Sequence, residues 1–357
     1  MKILSVVGAR PQFIKAAAVS RLLRRQHREI LVHTGQHYDY EMSSIFFEGL
    51  DIPAPDHELG VGSGSHARQT AEMLTRLERI LLGESPEIVL VYGDTNSTLA
   101  GALAASKLDI RLAHVEAGLR SFSRAMPEEI NRILTDCVSD LLFCPTPASV
   151  ENLHREGVAD GVHLVGDVMF DVAADAVKRA ETTSTILDRL GLKKQSYLLA
   201  TVHRAGNTDN ETNLRGIVTA FCDLDEPLVL PLHPRTDKCL KKVGLYETLA
   251  ETKHVILTEP LGYLDFVALQ TNARKILTDS GGVQKEACFH RVPCITLRDE
   301  TEWVETVAGG WNVLVGADAV KIVEAVRATF VEPSSACEGA DLWDGRASQR
   351  IVSTLGL

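Results

Sequence analysis

Three acidic residues sit where a carboxylate could work on a ligand. Asp94 lies in Gly93-Asp94-Thr95, Glu116 in His114-Val115-Glu116-Ala117-Gly118-Leu119-Arg120, and Glu128 in Met126-Pro127-Glu128-Glu129-Ile130-Asn131-Arg132. The first two directly follow apolar runs that read as buried parallel strands. In an open α/β sheet the carboxyl ends of the strands form the ligand crevice. Carboxyl groups gathered there can divide acid and base roles, because mutual repulsion and burial push their pKa values apart. Asp94 has a plainer alternative as N-cap of the helix that contains Ser97-Thr98-Leu99. Capping does not account for all three.

The second half of the chain offers a complementary set. Thr278-Asp279-Ser280-Gly281-Gly282-Val283-Gln284-Lys285-Glu286 follows the apolar run Lys275-Ile276-Leu277 and opens a helical segment. Paired glycines let a ligand approach the backbone, and the unpaired N–H groups at a helix start suit a phosphate. Glu286, one turn further on, could accept hydrogen bonds from ribose hydroxyls. Ser280-Gly281-Gly282 also reads as an ordinary tight turn and helix cap. Near the N-terminus, Gly8-Ala9-Arg10-Pro11-Gln12-Phe13-Ile14-Lys15 is not Gly-x-Gly-x-x-Gly, so the dinucleotide fingerprint is absent. Arg10 and Lys15 could meet phosphate or hold the acidic residues in place, with solvated surface charge the alternative for Lys15.

Two histidines follow strands: His203, beside Arg204 and Asn207, and His233 in Leu232-His233-Pro234-Arg235. Either could protonate or hydrogen-bond a departing phosphate oxygen. His203 is the better placed, with polar neighbours on its C-terminal side. The other ten histidines read as surface or packing residues.

The elements that must position these groups alternate along the whole chain. Strands are expected near 2–8, 29–33, 87–92, 110–114, 139–144 and 161–165, then near 196–203, 227–232, 254–257, 274–278, 292–297 and 312–315. Amphipathic segments such as 66–83 and 127–137 lie between them. Such alternation implies parallel sheets covered by helices on both faces. The chain has 357 residues, too many for one ordinary core, so two domains are expected. The boundary falls near residue 170, giving 1–169 and 170–342. Two doubly wound domains facing one another would leave a central cleft between the carboxyl ends of their strands.

Composition narrows the partners. A net charge of −11 without a basic block argues against a nucleic-acid surface, so any phosphate site must be local. No apolar stretch approaches the length of a membrane span, and the start lacks the features of a signal peptide. The seven cysteines (Cys137, Cys144, Cys222, Cys239, Cys288, Cys294 and Cys337) are scattered. That pattern suits reduced thiols in a cytoplasmic protein. No Cys-x-x-Cys or His-Glu-x-x-His is present, so zinc is not expected.

Taken in order, Gly-x-Arg-Pro, Gly-Asp-Thr, Val-Glu-Ala-Gly-Leu-Arg, Pro-Glu-Glu-x-Asn-Arg, His-Arg, His-Pro-Arg and Thr-Asp-Ser-Gly-Gly-x-Gln-x-Glu resemble the non-hydrolysing UDP-N-acetylglucosamine 2-epimerases. The match runs over residues 2 to 316. The resemblance implies a two-domain fold of the glycosyltransferase-B type and inversion at C2 of a UDP-linked 2-acetamido sugar. It implies elimination of UDP to a 2-acetamidoglucal and re-addition, with no nicotinamide or metal cofactor. Asp94, Glu116 and Glu128 match the family's acidic catalytic residues, and His203 the histidine near the diphosphate. Ser280, Gly281 and Gly282 match the phosphate turn, Glu286 the ribose ligand, and Arg10 and Lys15 the N-terminal cations. Arg204 and His233 fall within the His-Arg and His-Pro-Arg motifs and are expected to line the substrate site. A homodimer is implied too, and a C-terminal helix near 343–357 that packs on the first domain.

The chain departs from the best-known members in three places. Trp303 stands where they carry arginine, Gln12 where they carry glutamate, and 34–43 differs from the segment that helps bind a second, activating substrate in many of them. These variants resemble the subgroup acting on UDP-2,3-diacetamido-2,3-dideoxyglucuronate, which serves lipopolysaccharide O-antigens. The competing reading is a UDP-sugar glycosyltransferase of the same fold. Three acids favour the epimerase, since a transferase commonly manages with one base.

Overall fold

The computed structural model describes the chain except residues 37–53, 302, 333–341, 343 and 357, and the side chains of Arg10 and Pro11. The described residues divide into two compact units: 1–172 with the chain's C-terminal residues from 339, and 173–338.

Unit 1 begins with β1 (Lys2–Val7), α1 (Arg10–Leu23), β2 (Arg28–His33), β3 (His57–Glu58) and α2 (His66–Glu84). It continues through β4 (Ile88–Tyr92), α3 (Asn96–Lys107), β5 (Arg111–Val115) and α4 (Pro127–Val138). Then come β6 (Leu141–Cys144), α5 (Pro147–Arg155), β7 (Val162–Leu164) and the first turn of α6 (Val168–Thr183). The strands form one parallel sheet in the order β3-β2-β1-β4-β5-β6-β7. Their apolar runs need no alternation, because helices bury both faces. One face gathers Leu4, Val6, Val32, Val89, Val91 and Leu112 against Met73, Leu77 and Leu81 of α2. β3 departs from the expected elements: it is a two-residue strand on the sheet edge beside β2. Its register comes from a neighbour, and its own sequence carries no apolar run to announce it.

Unit 2 follows with α7 (Ile186–Leu190), β8 (Leu198–Thr201), α8 (Ala205–Thr208), α9 (Glu211–Cys222), β9 (Leu228–Pro231), α10 (Pro234–Lys242) and α11 (Tyr246–Glu251). It ends with β10 (Val255–Thr258), α12 (Tyr263–Asn272), β11 (Lys275–Thr278), α13 (Gly281–Phe289), β12 (Cys294–Thr296), α14 (Val304–Ala308), β13 (Asn312–Leu314) and α15 (Ala319–Arg327). Its parallel sheet runs β10-β9-β8-β11-β12-β13. Successive residues point to opposite faces, as strand geometry requires. Leu198, Ala200, Leu228, Leu230, Leu277 and Ile295 build one core, and Leu199, Val229, Ile276 and Cys294 build the other.

The final helix, α16 (Ala347–Leu355), returns to unit 1 and packs on α1. Asp171 accepts hydrogen bonds from the Ala347 and Ser348 N–H groups at its start, at 3.1 and 2.7 Å. Among the described residues no helix is long and apolar enough to cross a membrane.

Each sheet reverses its strand order once in a way that matters for ligands. β1 stands between β2 and β4, and β8 between β9 and β11. At such a switch point the two following connections leave on opposite faces, opening a crevice at the strands' carboxyl ends.

Candidate active site

In unit 1 the connections leaving β4 and β5 carry the first two acidic residues. Gly93, with φ +63°, turns the chain at the end of β4. The cap of α3 is Thr95, whose hydroxyl accepts from the Thr98 N–H. The capping alternative for Asp94 is therefore overturned. Asp94 instead turns its carboxylate to Arg132, accepting from Nη2 at 2.8 Å and from Nε at 3.1 Å. Asn131 holds the Asp94 carbonyl at 2.9 Å.

Arg132 reaches on from Asp94 to Glu129, 2.6 Å from its Nη1. Burial weakens a guanidinium's charge, but Asp94 and Glu129 outweigh it and raise the Arg132 pKa. Glu129 is buried and also accepts from the Ser121 N–H and hydroxyl and the Phe122 N–H. Burial alone would push its pKa up; these donors and Arg132 hold it below the ordinary carboxylate range. Glu128, one residue away, is half-buried, and among the described residues no hydrogen bond or ion pair engages its side chain. Both lie in the first turn of α4, where the helix dipole favours negative charge.

Glu116 sits past the end of β5 with φ +75°, a left-handed backbone rare outside glycine. Its Oε2 pairs with the Lys15 ammonium. Lys15 is buried, so solvated surface charge does not describe it. A Cβ on Gly93 would lie 3.3 Å from both Glu116 Oε2 and Lys15 Nζ. The glycine lets the β4 turn rest on this pair. Lys15 holds Glu116, Arg132 holds Asp94, and Glu128 is left unengaged. The side chain of Arg10, in the first turn of α1, lies outside the described part of the structure.

Gln12, one of the departures, is buried and fully engaged. Its Oε1 accepts from the Gly8 and Ala9 N–H groups, and its Nε2 donates to the Tyr92 carbonyl and Thr98 hydroxyl. A carboxylate there would lack the two donations, so this residue ties α1 to the β4 end as an amide.

The helix starts of the two units differ in how far they are closed. At α3 the Ser97 N–H and hydroxyl both donate to Gln36 Oε1. That start is satisfied internally. At α13 in unit 2 the N-cap is Ser280, whose side chain makes no cap hydrogen bond. Gly282 is exposed, and a Cβ placed on it would approach only the Ser280 hydroxyl, at 4.0 Å. No protein contact demands glycine there. Gly281 and Gly282 leave a helix start open to an anion. Glu286, one turn on, accepts from Gln270 Nε2 at 2.8 Å.

Asp279, between β11 and this turn, is fully buried. It accepts from the His203 and Arg204 N–H groups and from Asn207 Nδ2, at 3.0–3.1 Å. It thereby joins the turn after β8 to the turn after β11. Asn207 directs its amide to Asp279 and the Leu297 carbonyl, so it supports the His203 backbone rather than surrounding the ring. His203 is partly exposed, with Nδ1 3.5 Å from Asp279 Oδ1. Its ring lies 5.5 Å from that of His233. His233 caps α10, its Nδ1 accepting from the Arg235 N–H at 3.2 Å. Burial, with the nearby His203 and Arg235, lowers the His233 pKa. Arg204 is exposed at the start of α8.

At the departure from arginine, the Trp303 ring lies beneath Lys285 of α13, 4.1 Å from Nζ to the centroid. A cation is thus held at this place by stacking, although the residue itself is aromatic. The third departure, 34–43, lies from residue 37 onward outside the described residues.

Sequence reading missed Glu129, Arg132, Asp136 and Asp279 as organisers, although all four lie in or beside the motifs singled out. Among the described residues no group of three or more His, Cys, Asp or Glu is arranged to hold a metal ion.

Residues 21–356 match the family profile described as UDP-N-acetylglucosamine 2-epimerase. A UDP-N-acetylglucosamine 2-epimerase homolog of Methanococcus maripaludis is 54% identical over 356 residues, covering 99% of each chain. A UDP-2,3-diacetamido-2,3-dideoxy-D-glucuronate 2-epimerase of Pseudomonas aeruginosa is 51% identical over 364 residues, again covering 99% of each. The solved structure of the Methanocaldococcus jannaschii UDP-GlcNAc 2-epimerase in complex with UDP-GlcNAc and UDP aligns with a TM-score of 0.82 at 44% identity. It covers 100% of this chain and 99% of that one. The calicheamicin glycosyltransferase CalG4, at 15% identity and a TM-score of 0.62 over 99% of this chain and 97% of its own, shares the fold alone. The architecture is that of the glycosyltransferase-B type.

Proposed function

The chain belongs to the UDP-N-acetylglucosamine 2-epimerase family, and from that premise we propose that it is an isomerase inverting C2 of a UDP-linked 2-acetamido sugar. The observation that carries this reading is three carboxylates in three electrostatic settings within unit 1. Asp94 is held by Arg132, Glu116 by Lys15, and Glu128 is unengaged among the described residues. An elimination and its reversal need groups that give and take a proton on both faces of the sugar, and differing surroundings separate such roles.

In the proposed reaction a carboxylate takes the C2 proton. The electron pair of that C–H bond forms the C1–C2 double bond, and the bond from C1 to the UDP oxygen breaks with its pair. UDP and a 2-acetamidoglucal result. Protonation of C2 on the opposite face and return of the UDP oxygen to C1 complete the inversion. Asp94, Glu116 and Glu128 serve the sugar. The open start of α13 at Ser280, Gly281 and Gly282 takes the diphosphate, and Glu286 takes the ribose. His203 meets the departing phosphate oxygen, with Arg204, His233, Lys15 and Arg10 supporting the anionic substrate.

The substrate is UDP-N-acetylglucosamine or the 2,3-diacetamido-glucuronate analogue, both of which occur in the names of relatives about half identical to this chain. On the same footing we place the protein in the cytoplasm as a homodimer, supplying a surface polysaccharide such as an O-antigen. Turnover measured on the two UDP-sugars side by side distinguishes the substrates.

Incubation with UDP-sugar in deuterated water, with no acceptor, is expected to place deuterium at C2. Asp94→Asn, Glu116→Gln and Glu128→Gln are each expected to lower turnover by at least about 10²-fold, with UDP affinity largely kept. Turnover that strictly requires an acceptor, with no deuterium at C2, would point to a glycosyltransferase instead.

A further inference from the structure

One further carboxylate, buried in unit 1, is tied to the turns that carry Asp94 and Glu116 and shares a helix with Glu128. His114, in β5, is 0% exposed and Asp136, in α4, is 2% exposed. The ring of His114 lies with Nδ1 2.7 Å from Asp136 Oδ1 and Nε2 2.7 Å from the Gly93 carbonyl oxygen. Gly93 immediately precedes Asp94. The other oxygen of Asp136 accepts from the Gly118 N–H at 3.1 Å, two residues after Glu116, and from Arg120 Nη1 at 2.7 Å. Asp136 itself stands eight residues beyond Glu128 on the same helix, α4. One carboxylate is thus joined to the turn of Asp94 through His114, to the turn of Glu116 directly, and to Glu128 through the helix.

The surroundings keep this arrangement in one state. Burial pushes the Asp136 pKa up, but His114 and Arg120 outweigh burial and hold it below the ordinary aspartate range. Arg120 is anchored on its far side by Glu156, at 2.6 and 2.8 Å. Gly118 has φ +77°, and its carbonyl accepts from Asn152 at 3.0 Å. Among groups buried this deeply, removing one partner leaves the others unpaired, so the ties act together.

We propose that Asp136 and His114 are positioning residues of the epimerase reaction, fixing the turns that carry Asp94 and Glu116 relative to Glu128. This inference rests on the function proposed above. Neither residue touches the reacting atoms; they set the spacing of those that do. A displacement of about 1 Å in such a constellation costs about 10²-fold in rate.

The test uses the full-length protein with Asp136→Asn, His114→Gln and the double variant. Each single variant is expected to lose about 10²-fold in kcat, while KM and UDP affinity stay within about threefold. Because the two residues form one tie, the double variant is expected to lose no more than the worse single one. A merely structural role would lower the fraction of molecules with unit 1 folded, read by calorimetry, and leave kcat per molecule with unit 1 folded unchanged. A variant that does not fold is replaced by a measurement on the unaltered protein: nitrogen NMR of the histidine rings at pH 7. One ring is expected to show two exchange-protected N–H signals. Folded variants with kcat within threefold of the parent, multiplicative losses in the double variant, or a single ring N–H for His114 would overturn the proposal. Absence of deuterium at C2 with the unaltered protein would remove the epimerase reading instead, and the ring signals report on the tie independently of it.

Discussion

Glu116 pairs chemistry with backbone strain in one residue. Its φ of +75° costs a residue with a Cβ about 1–2 kcal/mol, a cost glycine escapes. A carboxylate side chain stands at a position that geometry would give to glycine, which fits a residue placed there for its chemistry. Glu116→Gly and Glu116→Ala both remove the partner of Lys15, so that loss cancels between them. The glycine variant is expected to be more stable than the alanine variant by about 1 kcal/mol, with turnover lost in both. Urea unfolding of the pair decides this; equal midpoints with equal slopes would show that the backbone carries no strain there. Glu116 and Asp94 could be picked out in sequence because they end apolar strands. Glu129, Arg132, Asp136 and Asp279 could not, although they lie in or beside the same motifs. Their importance resides in partners elsewhere in the chain: Asp279 binds the His203 N–H from 76 residues away, and Asp136 the His114 ring from 22. A motif marks a region, and only the fold separates the acid that faces a ligand from its buried neighbour.

Among the elements, the strands were legible wherever helices cover both faces, because burial on both sides writes a continuous apolar run. The two-residue β3 was not, since it pairs through Val32–His57 and His33–Glu58 with no pattern of its own. Helix starts were only half legible. Asp94 and Ser280 both read as caps in sequence, yet Thr95 caps α3 and Gln36 closes its start, while at α13 the Ser280 side chain makes no cap hydrogen bond. The turn after β5 is tightly constrained. A Cβ on Gly118 would lie 2.2 Å from the Ser149 carbonyl oxygen of α5, and φ is +77° as well. Neither the backbone angle nor the neighbouring carbonyl can yield cheaply. Gly118→Ala is expected to destabilise the protein by more than about 2 kcal/mol and to lower kcat in whatever fraction folds, because Glu116 shares the turn. Gly282→Ala, which meets no protein atom closer than 4.0 Å, is expected to leave thermal stability nearly unchanged while weakening UDP binding. Calorimetry with a UDP titration separates the two outcomes.

For the molecule as a whole, a net charge of −11 is compatible with a site for an anionic substrate because its cations are placed singly. Lys15 and Arg132 are each committed to a carboxylate, and the α13 start offers backbone N–H groups that add nothing to net charge. The course of the chain matters equally. It leaves unit 1 along α6 and comes back from residue 339, so that α16 belongs to the unit formed by the first 172 residues. Ile351, Val352 and Leu355 of α16 are buried, and Asp171 holds its first turn. Arg350 adds a hydrogen bond to the Val165 carbonyl at 2.9 Å. Burial of side chains of this size contributes roughly 1.5–3 kcal/mol each, a large share of a domain's net stability. Deleting residues 347–357 is therefore expected to lower the unfolding temperature of unit 1 and to leave that of unit 2 in place. Calorimetry should resolve this as one transition moving down while another stays, and UDP should still raise the transition that does not move, because its proposed binding turn lies in unit 2. If both transitions fell together, the two units would be one cooperative structure, and the C-terminal helix would stabilise the whole chain rather than the unit it packs on.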